Sequence, residues 1–213
     1  MKPDISLSRE QYRRRAWSYN YVGRWSEPIR RLTVQRLRLQ RGDVVLDVGC
    51  GTGLSFPFLE RKIGPEGRII GVDPSLDMLA QARDRAERNG WQNVVLIESA
   101  AEDALIPELV DALLFHFTHD VMRSSQALEN VFRQAKPGAR VAAAGMKWAP
   151  LWALPANPVI WFISRNYVTT FEGFRAPWSH LERLVPDLRV AQLLVGAVYI
   201  AWGVFQPEGG TRQ

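Results

Sequence analysis

Apolar residues fall along this chain in short unbroken runs separated by longer amphipathic stretches. Runs at 44–48, 68–72, 93–97, 111–116 and 139–145 read as strands, since few polar positions interrupt them. Segments near 55–62, 75–89 and 123–135 place apolar positions three and four apart and read as helices, while 101–109 supplies only a short turn. Strands without polar alternation are buried on both faces, as in a parallel sheet covered by helices on each side. Two further runs, 188–195 and 198–205, follow a short helix at 179–185 and are separated only by Gly196-Ala197, which predicts a tight antiparallel hairpin. The expected fold is α/β: a three-layer, Rossmann-like sheet of seven strands, mostly parallel, closed by a C-terminal antiparallel hairpin.

Two stretches fall outside that rhythm. In residues 1–42, Trp17, Tyr21 and Trp25 lie at i, i+4 and i+8, on one face of a helix, which suggests an N-terminal helical lid. Residues 147–178 form an insert after strand five holding Trp148, Trp152, Trp161, Phe162, Tyr167, Phe171, Phe174 and Trp178 with Arg165 and Arg175. Inserts at the carboxyl edge of such a sheet cover its ligand crevice. So aromatic a cover implies an apolar substrate compartment or a surface that docks on lipid, the alternative being a second small core beneath a long loop.

Charge is unevenly placed. Residues 1–42 hold eleven Lys and Arg against three Asp and Glu, although the whole chain carries only +5. A basic, aromatic segment on an acidic body suits an anionic membrane, a nucleic acid or an acidic substrate, or is simply a solvated amphipathic helix. The single cysteine, Cys50, permits no disulfide framework, and Met1–Glu10 carries no apolar run of the signal-peptide kind. Both point to a cytoplasmic setting, with room for peripheral contact at the inner membrane surface. The longest apolar region, 141–164, is broken by Lys147, Pro150, Pro155 and Pro158 and is not expected to span a bilayer. No Cys/His cluster has ligand spacing, so no metal is expected.

The chemistry concentrates in Val44-Val45-Leu46-Asp47-Val48-Gly49-Cys50-Gly51-Thr52-Gly53. An apolar strand passes into alternating glycines and then a helix start, a turn that lets a ligand approach backbone N–H groups closely. Leu54 stands where a dinucleotide fingerprint needs its third glycine. The string instead resembles the D-x-G-x-G-x-G signature of class I S-adenosylmethionine-dependent methyltransferases. Gly71-Val72-Asp73-Pro74-Ser75, at the end of strand two, and the D-x-S-x-x-M-L run ending at Met78-Leu79 are similar to the same family. A carboxylate at that tip, Asp73, can accept both ribose hydroxyls of a nucleoside.

The resemblance implies S-adenosylmethionine as cofactor and S-adenosylhomocysteine as product. It implies a cradle of Asp47, Gly49, Gly51, Thr52 and Gly53, with Pro74 and Met78 beside the adenine unless Met78 is ordinary core. Relatives carry Asp-Ala-Glu after strand three, where this chain has Ser99-Ala100-Ala101-Glu102-Asp103. Adenine would then be read by the backbone at Ala101 and by Glu102 or Asp103. His116 and His119 flank the tip of strand four, which in the family borders both cofactor and substrate. His119, with His116 as second candidate, is the proposed general base, the alternative being a histidine bonded to backbone at a strand end. Residues 16–25 are similar to the tyrosine-rich lid of quinone and phospholipid methyltransferases, which puts Trp17 and Tyr21, with Lys147 and Trp148, on the substrate side.

The chain is therefore divided as one methyltransferase domain, 1–213: a basic lid (1–42), a cofactor-binding core (43–146), a substrate-covering insert (147–178), and a closing helix and hairpin (179–205). The expected activity is methyl transfer to a small apolar or amphiphilic acceptor such as a lipid headgroup, quinone precursor or hydrophobic metabolite. A nucleic-acid methyltransferase is the runner-up, although the chain lacks an Asn/Asp-Pro-Pro-aromatic tetrapeptide and a Pro-Cys nucleophile. A non-catalytic, cofactor-binding interaction module is the third reading, favoured only by Ala100. Sequence leaves the oligomeric state open.

Overall fold

The computed structural model describes residues 26–165, 168 and 170–207. Helix α1 (Glu27–Arg36) leads into strand β1 (Val44–Val48), α2 (Phe56–Ile63), β2 (Arg68–Asp73), α3 (Leu76–Arg88) and β3 (Val94–Glu98). Then follow β4 (Val110–His116), α4 (His119–Met122), α5 (Ser125–Phe132) and β5 (Ala135–Met146). A 3₁₀ turn (Leu151–Ala156), α6 (Asn157–Ser164), α7 (Leu181–Leu184), β6 (Arg189–Leu193) and β7 (Val198–Val204) complete the described elements. The sheet order is β3-β2-β1-β4-β5-β7-β6, with β7 antiparallel to both its neighbours and the other pairs parallel.

Successive residues of the central strands enter different cores, as strand geometry dictates. Leu46, Val48, Leu113, Phe115, Val141 and Ala143 pack on one face with Leu128, Val131 and Phe132 of α5. Val45, Ala112, Leu114 and Ala142 pack on the other with Val34 and Leu37, Phe56, Leu59 and Ile63 of α2, and Leu79 and Ala82 of α3. Asp47 and His116, in alternation with these, belong to the second face, which α1 and α2 cover. Each side chain of this site is thus aimed by register before any local interaction acts on it.

Several expectations need correction. The stretch expected as helix 123–135 is shorter, α5 at Ser125–Phe132, with β5 already begun at Ala135 and the one-turn α4 lying ahead of it; Ser124 caps α5 by accepting from the Ala127 N–H at 3.2 Å. The tight hairpin is a four-residue loop, 194–197, with Leu194 and Val195 at φ 49° and 57°. Its shape follows from the insert: the Lys147 N–H donates to Ala197 O at 2.9 Å, and a Cβ on Gly196 would meet Pro150 Cδ at 2.6 Å. Residues 27–36 are no loose cover, since α1 buries Ile29, Thr33 and Val34 against the sheet. Trp17, Tyr21 and Trp25, with the arginines at 13–15, lie outside the described residues. Among the described residues no helix is long and apolar enough to cross a membrane.

Candidate functional site

Three glycines with φ of 68°, 56° and 71°, Gly49, Gly51 and Gly53, carry the chain from β1 to α2. Two of them are needed for distinct reasons. A Cβ on Gly49 would overlap the Thr118 methyl group at the β4 tip, so only glycine lets the two strand ends meet. A Cβ on Gly51 would meet nothing within 4 Å, so that position faces open space and its absent side chain keeps a crevice clear. The Gly51 N–H donates to Asp73 Oδ2 at 2.9 Å and the Ser75 N–H to Asp73 Oδ1 at 2.9 Å, which locks the strand-two carboxylate beside the glycine turn. Burial outweighs these two donors and raises the Asp73 carboxyl to about 6.

Asp47 stands deeper. Its carboxylate is 1% exposed and neither oxygen has a hydrogen-bond partner. Burial raises it to about 7, against the pull of the Arg30 charge and with a further push from Asp73. An orphaned buried carboxylate is costly, and such groups mark places where a cationic partner belongs. Around it lies a set that sequence reasoning missed. Arg30, buried in α1, donates from Nε to Ser26 Oγ at 3.2 Å and from Nη1 to Ser55 Oγ at 3.1 Å. Ser55 Oγ also lies 2.9 Å from His116 Nδ1. Ser55 precedes α2 without capping it, because its hydroxyl serves this cluster instead. The available signal was periodicity: Arg30 falls one position from Ile29 and three and four from Thr33 and Val34, on the buried face of α1.

At the tip of β4, Phe117 adopts φ 57° and its N–H donates to Ala144 O at 2.7 Å. His116 is fully buried, held neutral by burial and by Arg30, and its Nε2 has no partner. Thr118 Oγ1 is likewise buried without one. These orphan groups and the Asp47 carboxylate fit the methionine end of an S-adenosylmethionine, whose ammonium and carboxylate match Asp47 and Arg30 in charge. Asp73 fits its ribose.

The other sequence candidates sort less simply. Thr52 is buried, and its carbonyl accepts from Arg85 Nε at 2.9 Å, so its role is to tie the turn to α3. Pro74 is half-buried and Met78 is 1% exposed, so Met78 is core in this state. Ala101 packs in the core, and its carbonyl accepts from Asn130 Nδ2 at 2.9 Å; Glu102 is partly exposed nearby. Lys147 lines the cavity beside Trp148, and its ammonium donates to Trp148 O at 2.7 Å and Gly196 O at 3.1 Å. A buried cation needs these carbonyls, and burial lowers its pKa.

His119 is 7% exposed and packs edge-on to Phe174, with centroids 5.0 Å apart. Burial and the Arg123 charge hold it down at about 4 in spite of backbone groups of Glu172 and Thr170 that favour its cation. Neither ring nitrogen has a well-formed hydrogen bond. Phe174 in turn meets Trp148 at 5.1 Å and Phe171 at 5.2 Å, and Trp148 stacks on Phe171 at 5.2 Å. Trp148 also lines a cavity of ≈ 750 Å³ with Trp152, Leu154, Asn157 and Arg175. A continuous aromatic wall therefore runs from the cavity through Trp148 and Phe174 to His119. The insert is both things its composition allowed: an inner core of Ala149, Ala153, Ile160 and Phe174, and an outer apolar face.

Residues 39–157 match the family model described as a methyltransferase domain. Demethylmenaquinone methyltransferase of Listeria welshimeri is 34% identical over 115 residues, 53% of this chain and 49% of that protein. The chain thus spans about half the length of the curated relatives it matches. An S-adenosylmethionine-dependent methyltransferase from Aquifex aeolicus is similar in structure at 25% identity and a TM-score of 0.57, over 78% of this chain and 84% of that one. The geranyl diphosphate C-methyltransferase of Streptomyces coelicolor, solved with S-adenosyl-L-homocysteine, shares the fold at 16% identity and a TM-score of 0.66, over 86% and 80%.

Proposed function

This chain belongs to the class I S-adenosylmethionine-dependent methyltransferases, and from that premise we propose that it methylates a small apolar or amphiphilic acceptor of the quinone-precursor kind. The observation that carries the acceptor class is the aromatic wall Trp148–Phe174–His119, which joins a cavity of ≈ 750 Å³ to the β4 tip. A rigid aromatic surface favours flat, apolar molecules and sheds water. The demethylmenaquinone methyltransferase relatives support the same class.

Within this reading, Asp47 takes the ammonium of the cofactor's methionine end and Arg30 its carboxylate, while each Asp73 oxygen, already accepting from one backbone N–H, accepts from a ribose hydroxyl with its remaining lone pair. Bound S-adenosylmethionine supplies a methyl carbon made electrophilic by its sulfonium. The protein's share is orientation: Gly51 keeps the approach clear, and Trp148, backed by the buried Phe174, holds the acceptor's plane and excludes water. His119, neutral throughout the physiological range, takes the proton of an acceptor hydroxyl onto a buried ring nitrogen that has no other well-formed hydrogen bond. It is a weak base at about 4, so its use is to receive a proton as it is lost, not to ionise the acceptor beforehand.

Calorimetry with S-adenosylmethionine and S-adenosylhomocysteine tests the cofactor half. Transfer of labelled methyl to a demethylated quinol, a water-soluble catechol and an RNA transcript tests the acceptor half. The quinol should be methylated in preference; methylation of RNA alone would replace this reading with the nucleic-acid one.

A further inference from the structure

The insert turns an unusually apolar surface outward. Leu151 and Trp152 are each 75% exposed, and Val159 and Phe162 are each 60% exposed. Leu154, Trp161 and Ile163 are exposed beside them, and no charged residue occurs from Leu151 to Ser164. This exposure is not the result of a missing interior, because Ile160 and Ser164 of α6 already pack inward, with Ser164 Oγ donating to Met146 Sδ at 3.4 Å. Val159, Phe162 and Ile163, at i, i+3 and i+4, form the opposite face of the same helix. Contiguous apolar surface of this extent marks an interaction site on a stable protein.

We propose that this face docks on an anionic lipid bilayer, with α6 lying flat among the headgroups. Its chemistry selects that occupant. The guanidinium of Arg165 sits 4.9 Å from the Trp161 ring centroid and 4.5 Å from that of Phe162, so a fixed cation borders the apolar face. Tryptophan with flanking arginine is the composition of a membrane interface. The exposed charges of residues 147–178 include Arg165 and Arg175 against one carboxylate, Glu172, which favours anionic headgroups. Eight helical residues extend only about 12 Å, too short to cross a bilayer core of about 30 Å, so the helix lies on the surface. The N-terminal residues 1–25 are an unfitting cover, because they carry six Lys and Arg against two Asp and Glu and would meet Arg165 and Arg175 with like charge. The same charge sign disfavours a second copy of the chain. On a bilayer, by contrast, that basic segment adds attraction. The exposed Leu151 and Trp152 also line the cavity, so its mouth opens in the docking face. The proposal does not depend on the identity of the acceptor.

The test is co-sedimentation of the full chain with phosphatidylcholine vesicles, with and without phosphatidylglycerol, across a salt series. Wild type should bind the anionic vesicles and release as salt rises. Val159→Ser with Phe162→Ser should reduce partitioning by about tenfold or more, and Arg165→Gln should flatten the salt dependence. Calorimetric affinity for S-adenosylhomocysteine should stay unchanged in both, which certifies the fold and reports separately on the cofactor site. Failure of wild type to bind would overturn the proposal. So would undiminished binding by the double variant, since the basic N-terminus would then be sufficient. A dimer that the double variant converts to a monomer, with vesicle binding unaltered, would assign the face to a second copy.

Discussion

Asp47→Asn gives a result of opposite sign for stability and for function. In the folded protein the carboxyl is raised from 3.8 to about 7. The native state therefore holds a proton that the unfolded chain has already released between about pH 4 and 7. Stability from this group is intact below pH 4, declines as pH rises through that window, and shows the full penalty above 7. Roughly three pH units correspond to about 4 kcal/mol as an upper limit. Solvent reaching the open side of the crevice lowers the figure, so a gain of about 1–3 kcal/mol is expected for the neutral isostere at pH 8. For a chain of this length that is roughly 2–10 °C in Tm.

At pH 4 the two proteins should melt together, because Asp47 is then protonated and resembles asparagine. A remaining slope between about pH 4 and 6.5 is the fall contributed by Asp73 set against the rise contributed by His116 and His119, which stay neutral in the fold. Cofactor affinity should move the other way, falling by about 1.5–3 kcal/mol at pH 8 as the charge-assisted contact to the ammonium is lost. Scanning calorimetry at the two pH values and titration calorimetry at pH 8 measure the three quantities. A variant less stable than wild type at pH 8 would show that the carboxylate already has a stabilising partner, and would refute the reading of Asp47 as a vacancy for a cation.

Asp73→Ala should weaken S-adenosylhomocysteine by about 1.5–3 kcal/mol with little change in Tm, and an unchanged Kd would remove Asp73 from the ribose. Gly51→Val should abolish cofactor binding, since its side chain enters the open space, and should also lower Tm because φ 56° strains a branched residue; Gly49→Ala adds overlap with the Thr118 methyl to the strain of its own positive φ and should also lower Tm, and normal cofactor binding by folded Gly51→Val would contradict the reading of the turn as a cradle. Arg30→Gln should raise the Kd for the cofactor while decarboxylated S-adenosylmethionine binds wild type and variant alike. His119→Ala should lower kcat by about 10²–10⁴-fold and leave cofactor affinity intact. Because the folded histidine is held at about 4, wild-type kcat should rise only through acid pH and be flat from pH 6 to 8; a limb centred near 6.5 and lost in the variant would place the histidine in solvent.

The parts of this site that sequence made legible are those fixed by backbone chemistry. Gly49, Gly51 and Gly53 all take positive φ, Ser75 accepts from the Met78 N–H to cap α3, and Asn89-Gly90 ends it, each a local rule with a local cause. What escaped depends on where separate segments meet. The arginine of the cluster lies on α1, the serine before α2 and the histidine at the end of β4, and only the sheet order brings Arg30, Ser55 and His116 within bonding distance. The anchoring of Lys147 escaped for the same reason, since nothing near it in sequence reveals that Gly196 O will take its ammonium. His119 shows the limit in chemical terms: composition gives a group that titrates near neutrality, while packing against Phe174 moves it to acid pH. Under the proposed function its role then changes from a base that switches to one that is always ready and always weak, and the burden of rate would shift to the aromatic side chains that align the acceptor.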